Sequence, residues 1–373
     1  MLIGRGRKLV KTQRTYPGRV GAFWATLGLI LSLILFLPGN SSAKVTGVCS
    51  NCHTMHYSQN GTQLSSWGSD GPYQNLTTSN CVGCHSAADG ATWQDAVTGA
   101  PIVYNASAPS YNTQKGLAAG NFYYVAQDQT KGHNVTDIPG VSQDSNFTST
   151  PGGTGSTCSA CHGGGNMVLT KCVFCHDAKD AHHADDSATV VGESGGYYRF
   201  LSFTYYHPSS FQEGLGFYGC EGIEDSDWEK TVTSTDHNEY AGAPASGNSH
   251  SISKYCACCH EGFHGTANTQ SGSSWIRHPS DHVLPNSGEY ASYTTYSPEA
   301  PIARDPTVLA GMTGPSQTVT PGSDQVSCLS CHRAHGSPKP DMLRWDYSGM
   351  IAGSGENTGG CFVCHTTKDT GGS

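Results

Sequence analysis

The chain has 373 residues, of which 47 are Gly, 18 Pro, 16 Cys and 18 His, while only 13% are Asp, Glu, Lys or Arg. This composition excludes an ordinary cytosolic globular enzyme. Because ordering each residue costs roughly 1–2 kcal/mol of backbone entropy, a Gly-rich chain with few aliphatic side chains needs another source of buried surface.

The N-terminal segment has the pattern of a secretory signal peptide. Six basic residues precede an uncharged apolar run over residues 20–37, and small residues at Ser41 and Ala43 fit a cleavage site. We therefore predict a signal peptide over residues 1–43 and an exported chain that begins at Lys44. The alternative is an uncleaved membrane anchor, because the apolar run reaches the lower end of the length that spans a bilayer.

Removal of this leader makes the chain strongly acidic. The leader contains six of the 20 Lys and Arg residues and none of the 29 Asp and Glu residues, so the mature chain carries 14 basic and 29 acidic residues, a net charge of −15. This charge argues against a nucleic-acid partner and favours a surface that repels its own copies at long range.

Seven segments have the pattern Cys-x-x-Cys-His, and they use 14 of the 16 cysteines. Two thiols with this spacing can form thioethers to the two vinyl groups of a haem, and the adjacent His can bind the iron. A disulfide framework does not require a His after every second Cys, and zinc sites need Cys pairs matched in fours. The motifs therefore predict seven covalently attached c-type haems. They are Cys49–Cys52–His53, Cys81–Cys84–His85, Cys158–Cys161–His162, Cys172–Cys175–His176, Cys256–Cys259–His260, Cys328–Cys331–His332 and Cys361–Cys364–His365.

Two cysteines are left over, Cys220 and Cys258, and the second lies between the paired cysteines of a haem motif. An exported chain matures in an oxidising compartment, where these two residues can form a disulfide. The alternative is two unrelated buried thiols.

Eleven histidines lie outside the motif position, and seven haems need at most seven further axial ligands. The supply is sufficient for every iron to bind two imidazoles, which suits electron transfer and leaves no position for a substrate. The candidate distal ligands are His56, His133, His182, His183, His237, His264, His278 and His335, with one of the adjacent pair expected not to bind. We assign His207, His250 and His282 to the non-ligands.

Two of the candidates, His56 and His335, stand three residues after a motif His. Neither can serve its own haem, because the macrocycle lies between that position and the opposite axial site. Each is therefore expected to reach a different haem, which would place one haem beside the next.

The chain between the motifs shows no apolar helical period beyond two or three turns and only brief strand-like alternation. We predict mostly coil with short helices at the haem motifs and few short strands. The expected architecture is a multihaem cytochrome c, haem-stacked and elongated, in which residues 44–373 form a single unit with no conventional hydrophobic core. About 47 residues accompany each haem, so the cofactors themselves would replace that core.

Several blocks of the chain resemble one known family. They are GVCSNCHTMH from Gly47, HHADDSATVVGESGGYYRFL from His182, GIEDSDWEKTVTSTDHNEY from Gly222, SWIRHPSD from Ser274 and VSCLSCHRAHGSPKPDMLRWDY from Val326. In these blocks the sequence is similar to the extracellular, filament-forming multihaem cytochromes of metal-reducing bacteria. The similarity is strong at the motifs and weak in the loops between them.

The resemblance implies a homopolymer of subunits joined head to tail, with one continuous haem series and two His ligands at each iron. It implies that His56 binds a haem of the adjacent subunit, and it matches His183, His237 and His335 to histidines of the family. The chain departs from the family in having seven motifs rather than six, so the haem that receives His56 does not follow from the resemblance.

Three functions remain open from the sequence. The first is a secreted subunit of an electron-conducting filament that serves redox proteins or extracellular acceptors such as minerals, humic substances or other cells. The second is a discrete periplasmic or cell-surface electron carrier that does not polymerise. The third is a reductase of an oxyanion or a nitrogen compound, but such enzymes often carry a Lys in place of one motif His, and here all seven motifs end in His.

Overall fold

The computed structural model describes residues 44–45, 47–53, 58–59, 62–63, 77, 80–147, 149–153, 171–177, 182–184, 188–192, 197–202, 219–245, 249–264, 277–355 and 359–368. The predicted signal peptide, the third motif at Cys158, Cys161 and His162, and two further histidines, His56 and His207, lie outside these ranges. Within them, no helix combines the length and the apolar character that a membrane span requires.

The helices of the described chain are short. The four α-helices are α1 (Val82–His85), α2 (Tyr123–Gln127), α3 (Ile252–Ala257) and α4 (Pro306–Leu309). The 3-10 helices are Cys49–Asn51, Gln129–Lys131, Cys172–Phe174, Tyr198–Phe200, Glu261–Phe263, Gly288–Ser292, Cys328–Ser330, Pro340–Met342, Tyr347–Gly349 and Gly360–Val363.

Local capping explains where two of the α-helices begin. The side chain of Ser251 accepts a hydrogen bond from the backbone N–H of Lys254 at the start of α3, and Asp305 accepts one from Thr307 at the start of α4. Each cap satisfies a backbone donor that has no partner within the helix.

The strands have two or three residues each. They are β1 (Ser58–Gln59), β2 (Thr62–Gln63), β3 (Ser86–Ala87), β4 (Tyr104–Asn105), β5 (Gly222–Ile223), β6 (Glu239–Ala241), β7 (His282–Val283), β8 (Ala303–Arg304) and β9 (Gln325–Val326). β1 and β2 pair antiparallel, β3 and β4 pair parallel, and the other five form one sheet in the order β5-β6-β8-β9-β7. In that sheet only β6 and β8 are parallel, with Tyr240 opposite Ala303.

Buried ion pairs hold the five-stranded sheet together. Arg304 of β8 donates through Nε to Glu239 Oε2 of β6 at 2.7 Å, and through Nη1 to Asp324 Oδ2 at 2.8 Å. The side chains of Arg304 and Glu239 are 3% and 0% exposed. Burial raises the pKa of Glu239, but hydrogen bonds from His237 and Arg304 outweigh it and hold this pKa below its usual value. Because an unpaired buried charge is costly, the sheet depends on this network being complete.

In the part of the chain that the structure describes, apolar side chains gather in four small clusters rather than in one core. One contains Tyr198, Tyr240 and Tyr255, and another contains Tyr293 and Tyr296. Motif cysteines pack against three of the clusters, which places apolar surface beside the haem motifs. The prediction of mostly coil, with short helices and few short strands in place of a conventional core, is confirmed.

The two spare cysteines lie in the same buried cluster, where the thiol of Cys258 donates to Lys254 O at 3.5 Å. Burial raises the pKa of Cys220 well above its usual value, and the adjacent Cys258 adds to this effect. The structure has no disulfide between them, but they are not unrelated, because Cys220 packs in one cluster with Cys258 and with Ile252 and Tyr255 of α3.

Candidate haem sites

Each of the six described motifs folds into a single tight turn. The backbone N–H of the motif His donates to the carbonyl of the first Cys, over distances of 2.8–3.1 Å, at His53, His85, His176, His260, His332 and His365. This turn brings the two thiols to one side and presents the His one turn further on, which is the arrangement that covalent haem attachment requires. None of the described motif cysteines forms a disulfide, so their sulfur atoms are available for thioethers.

Five motif histidines face a second imidazole across a gap of one metal ion. An imidazole nitrogen bonds a metal at about 2.0–2.1 Å, so two imidazoles on opposite sides of one ion have ring centres roughly 6 Å apart. The pairs and their ring-centre distances are His53 with His183 at 6.2 Å, His85 with His182 at 6.4 Å, His260 with His133 at 6.0 Å, His176 with His335 at 6.0 Å, and His365 with His278 at 6.3 Å. In each pair one ring belongs to a motif and the other does not, as two-imidazole ligation requires.

Most of these rings donate through Nδ1, which leaves Nε2 for a metal. The acceptors are Pro101 O for His85, Arg199 O for His176, Pro151 O for His260, Asp341 O for His332, Ala334 O for His133, Pro279 O for His278 and Glu289 Oε1 for His365, at 2.6–3.2 Å. Such a bond fixes the ring orientation and the tautomer of a metal-binding His.

Burial keeps several of these rings neutral, which is the form that binds a metal. Together with the neighbouring imidazoles, it lowers the pKa of His133 to about 4 and that of His335 to about 3. The pKa values of His85, His176 and His260 are also lowered, mainly by burial. The residues present therefore fit c-type haem in their thiols, their facing imidazoles and their protonation.

The adjacent pair His182 and His183 differs from the sequence expectation, which gave a haem to only one of them. In the structure His182 faces His85, whereas His183 faces His53. Two consecutive side chains leave the backbone in different directions, so one short segment can serve two sites. His335 faces His176 and not His332, the motif His three residues before it.

The structure places His237 in a polar network. Its Nδ1 donates to Thr233 O at 3.1 Å, its Nε2 donates to Glu239 Oε1 at 3.2 Å, and its ring stacks on Tyr296 with centres 3.5 Å apart. Both ring nitrogens are therefore engaged with oxygen atoms of the protein. The expected ligand role of His237 is therefore not supported by this geometry, because the side chain completes the Glu239 network instead.

His264 is likewise engaged elsewhere, since its Nε2 lies 2.9 Å from Asp281 Oδ2. His282, expected to be a non-ligand, is exposed on β7. His250, also placed among the non-ligands, donates through Nδ1 to Gly219 O at 2.8 Å in the manner of the paired rings. A backbone carbonyl near a loop His is not visible in the sequence, so no signal there could have separated His250 from His264.

The motifs also lie close to one another. The thiols of Cys81 and Cys172 are hydrogen-bonded, which lowers the pKa of Cys81 to about 7, and the thiols of Cys256 and Cys328 are hydrogen-bonded in the same way. Burial and, next, the charge of the nearby Cys361 raise the pKa of Cys331 to about 12. Motifs that are distant in the sequence are therefore neighbours in space.

The haem motifs and the chain as a whole resemble known proteins. A family model described as a doubled CXXCH motif matches residues 320–370. The chain is 27% identical, over 380 residues, to the C-type cytochrome OmcS of Geobacter sulfurreducens, and the match covers 84% of this chain and 83% of the relative. The motif and this similarity support covalently bound c-type haem.

Two solved structures have a similar fold. The outer membrane cytochrome S filament of Geobacter sulfurreducens matches with a TM-score of 0.53 at 21% identity, covering 82% of this chain and 85% of the other. The OmcS nanowires from the same organism, solved by cryo-electron microscopy, match with a TM-score of 0.53 at 20% identity, covering 85% and 88%. The chain is therefore similar in sequence to the C-type cytochrome OmcS and shares the fold of the OmcS filament structures.

Proposed function

We propose that this chain is a secreted electron-transfer protein that holds seven covalently attached c-type haems, each bound by two histidines, and that it polymerises head to tail. Each haem supplies a one-electron couple between ferric and ferrous iron. The observation that carries the proposal is the set of five facing imidazole pairs, because paired imidazoles leave no open position for a substrate. An electron-transfer role, rather than catalysis, follows from this arrangement.

The neighbouring positions of the motifs support transfer along a series of sites. The adjacent residues His182 and His183 face the histidines of the second and first motifs, so these two motifs are neighbours. The second and fourth motifs are also neighbours, because the Cys81 and Cys172 side chains are within hydrogen-bond distance. His335 lies three residues after His332 and faces His176, which connects the fourth motif with the sixth. The chain's own backbone thus keeps successive haem sites adjacent, which short-range electron transfer requires.

The motif that ends in His332 supports polymerisation. Among the residues that the structure describes, His332 is the motif His with no second imidazole at ligand distance, although its Nδ1 is fixed by Asp341 O at 2.9 Å. We infer that this site receives His56 of the adjacent subunit, which is the ligand that the N-terminal CHTMH block suggests. A ligand given in trans is a heterologous contact, and repetition of such a contact without closure produces a filament.

The remaining parts of the proposal follow from the export signal. Removal of residues 1–43 would release the chain from the inner membrane, and assembly would take place outside the cell. The partners would be further copies of the chain, other redox proteins and extracellular electron acceptors, with no nucleic acid.

Substitution of His56 tests the filament. We expect His56→Ala to keep seven haems per chain, to give no fibres in negative-stain micrographs, and to contain one high-spin haem. The matched control is His282→Ala, which removes an exposed His of β7 and should leave fibres and spectra unchanged. Fibres of normal appearance from His56→Ala would contradict the trans ligand, and monodisperse particles from the wild-type chain would favour the discrete carrier.

A further inference from the structure

The segment that carries His182 and His183 is held by the first residues after the predicted cleavage site. The backbone N–H of Val45 donates to His182 O at 2.9 Å, and that of Lys44 donates to Ala184 O at 2.9 Å. Together these bonds enclose both distal histidines of the first two sites. The positions of both imidazoles therefore depend on where Lys44 and Val45 are anchored.

Lys44 is anchored by its side chain. Its Nζ lies 2.5 Å from Glu224 Oε1 and donates to Tyr197 O at 3.2 Å, and the Lys44 and Glu224 side chains are only 4% and 13% exposed. The ammonium also lies 4.6 Å from the centre of the Phe200 ring, which packs against His182 at a ring-centre distance of 5.0 Å. A buried ammonium needs an anionic partner, so Glu224 determines the position of Lys44.

The same carboxylate acts on a third site. Glu224 Oε1 accepts the backbone N–H of Arg199 at 2.6 Å, and Oε2 lies 3.5 Å from the Arg199 guanidinium. Arg199 has a φ of 48°, a left-handed conformation that an L-residue adopts only at an energetic cost, so the bond to Glu224 stabilises an unusual backbone. The carbonyl of Arg199 accepts Nδ1 of His176 at 2.8 Å and so fixes the proximal ring of the fourth motif.

We propose that Glu224 is a positioning residue for three haem sites, acting on His182 and His183 through Lys44 and on His176 through Arg199. This inference rests on the proposed haem ligation. A hydrogen bond to Nδ1 controls the orientation and basicity of an axial His, and fixed charges beside the site change its reduction potential. One side chain would therefore adjust neighbouring members of the series together.

The proposal predicts that the reduction potentials shift in opposite directions in two variants, which loss of structure alone would not produce. Glu224→Gln removes a buried negative charge and leaves Lys44 and Arg199 without the Glu224 carboxylate as counter-ion. The added net positive charge favours the ferrous state. We expect up to three haems to shift to higher reduction potential. Lys44→Met removes a positive charge from one arm only, so it should lower the potentials of the two haems served by His182 and His183 and leave the His176 haem unchanged.

The measurements are potentiometric titration followed by magnetic circular dichroism, on full-length secreted protein with haem content determined for each variant. Asp346→Asn is the matched control, because it makes the same carboxylate-to-amide change in the exposed pair with Lys339 and should shift nothing. Shifts of the same sign in Glu224→Gln and Lys44→Met, or shifts no larger than in the control, would overturn the inference. If Glu224→Gln does not assemble, Lys44→Met decides alone, since unchanged potentials there also overturn it.

The wild-type spectrum separates this inference from the proposed function. Absence of low-spin ferric haem with two imidazoles in the wild-type protein would refute the proposed ligation itself. Its presence, together with unchanged potentials in both variants, would refute only the role of Glu224.

Discussion

The structure makes a sharp prediction about His237, which the sequence assigned to a haem and the structure assigns to a polar network. In His237→Phe the aromatic ring can still stack on Tyr296, but the hydrogen bonds to Thr233 O and Glu239 Oε1 are lost. A neutral hydrogen bond contributes about 1 kcal/mol and one to a charged group about 1.5–3 kcal/mol, so we expect the free energy of unfolding to fall by roughly 3 kcal/mol. Glu239 retains Arg304 and the backbone N–H of Ser316 as donors, which limits the loss.

The assay combines stability with haem spin state. Chemical denaturation of wild type and variant, followed by far-ultraviolet circular dichroism, should show the lower stability. Near-infrared magnetic circular dichroism at room temperature should show every haem still low-spin in the variant. The reasoning would be refuted by a high-spin signal from one haem in seven, especially if stability were unchanged, because that result would make His237 an axial ligand.

Two further predictions use the same assays. His278→Ala should leave the haem of the Cys361–Cys364–His365 motif without its sixth ligand and convert that haem to the high-spin form. Little stability should be lost, because His278 is exposed. A spectrum in which every haem is low-spin would contradict the pairing of His278 with His365. Glu239 has a folded-state pKa below its ordinary 4.5, so its stabilising contribution is present above pH 4.5 and is lost as the pH falls through the lowered value. The difference in thermal midpoint between wild type and Glu239→Gln should therefore be largest near neutral pH and shrink in acid, and a difference independent of pH would contradict this.

The haem motifs could be predicted from the sequence because their chemistry is local. The turn from Cys81 to His85 needs only the spacing of five residues and one backbone hydrogen bond. The coil-rich fold also follows from composition, since a chain with so few long apolar patterns cannot form long helices or wide sheets. These features depend on no contact between distant residues.

The distal ligands depend on contacts that the sequence does not display. His237 and His335 both lie in blocks that resemble the same family, yet the first has both ring nitrogens within hydrogen-bond distance of protein oxygens and the second faces His176. What separates them is the position of the acceptors, which for His237 are Thr233 O and Glu239 Oε1. A count of histidines gives the number of available ligands but not which of them have a free nitrogen.

The placement of His335 shows how a chain with little apolar core positions a ligand. The backbone around Gly120 approaches that around Gly336 so closely that a Cβ at residue 120 would lie 1.8 Å from Gly336 O, and Gly120 has a φ of 87°. Next to this contact, the N–H of His335 donates to Ala119 O at 2.7 Å. Because only glycine tolerates both the conformation and the approach, two loops can cross without side chains between them, and the crossing holds the imidazole opposite His176. The many glycines that weaken ordinary secondary structure thus permit the close backbone contacts on which the haem sites depend.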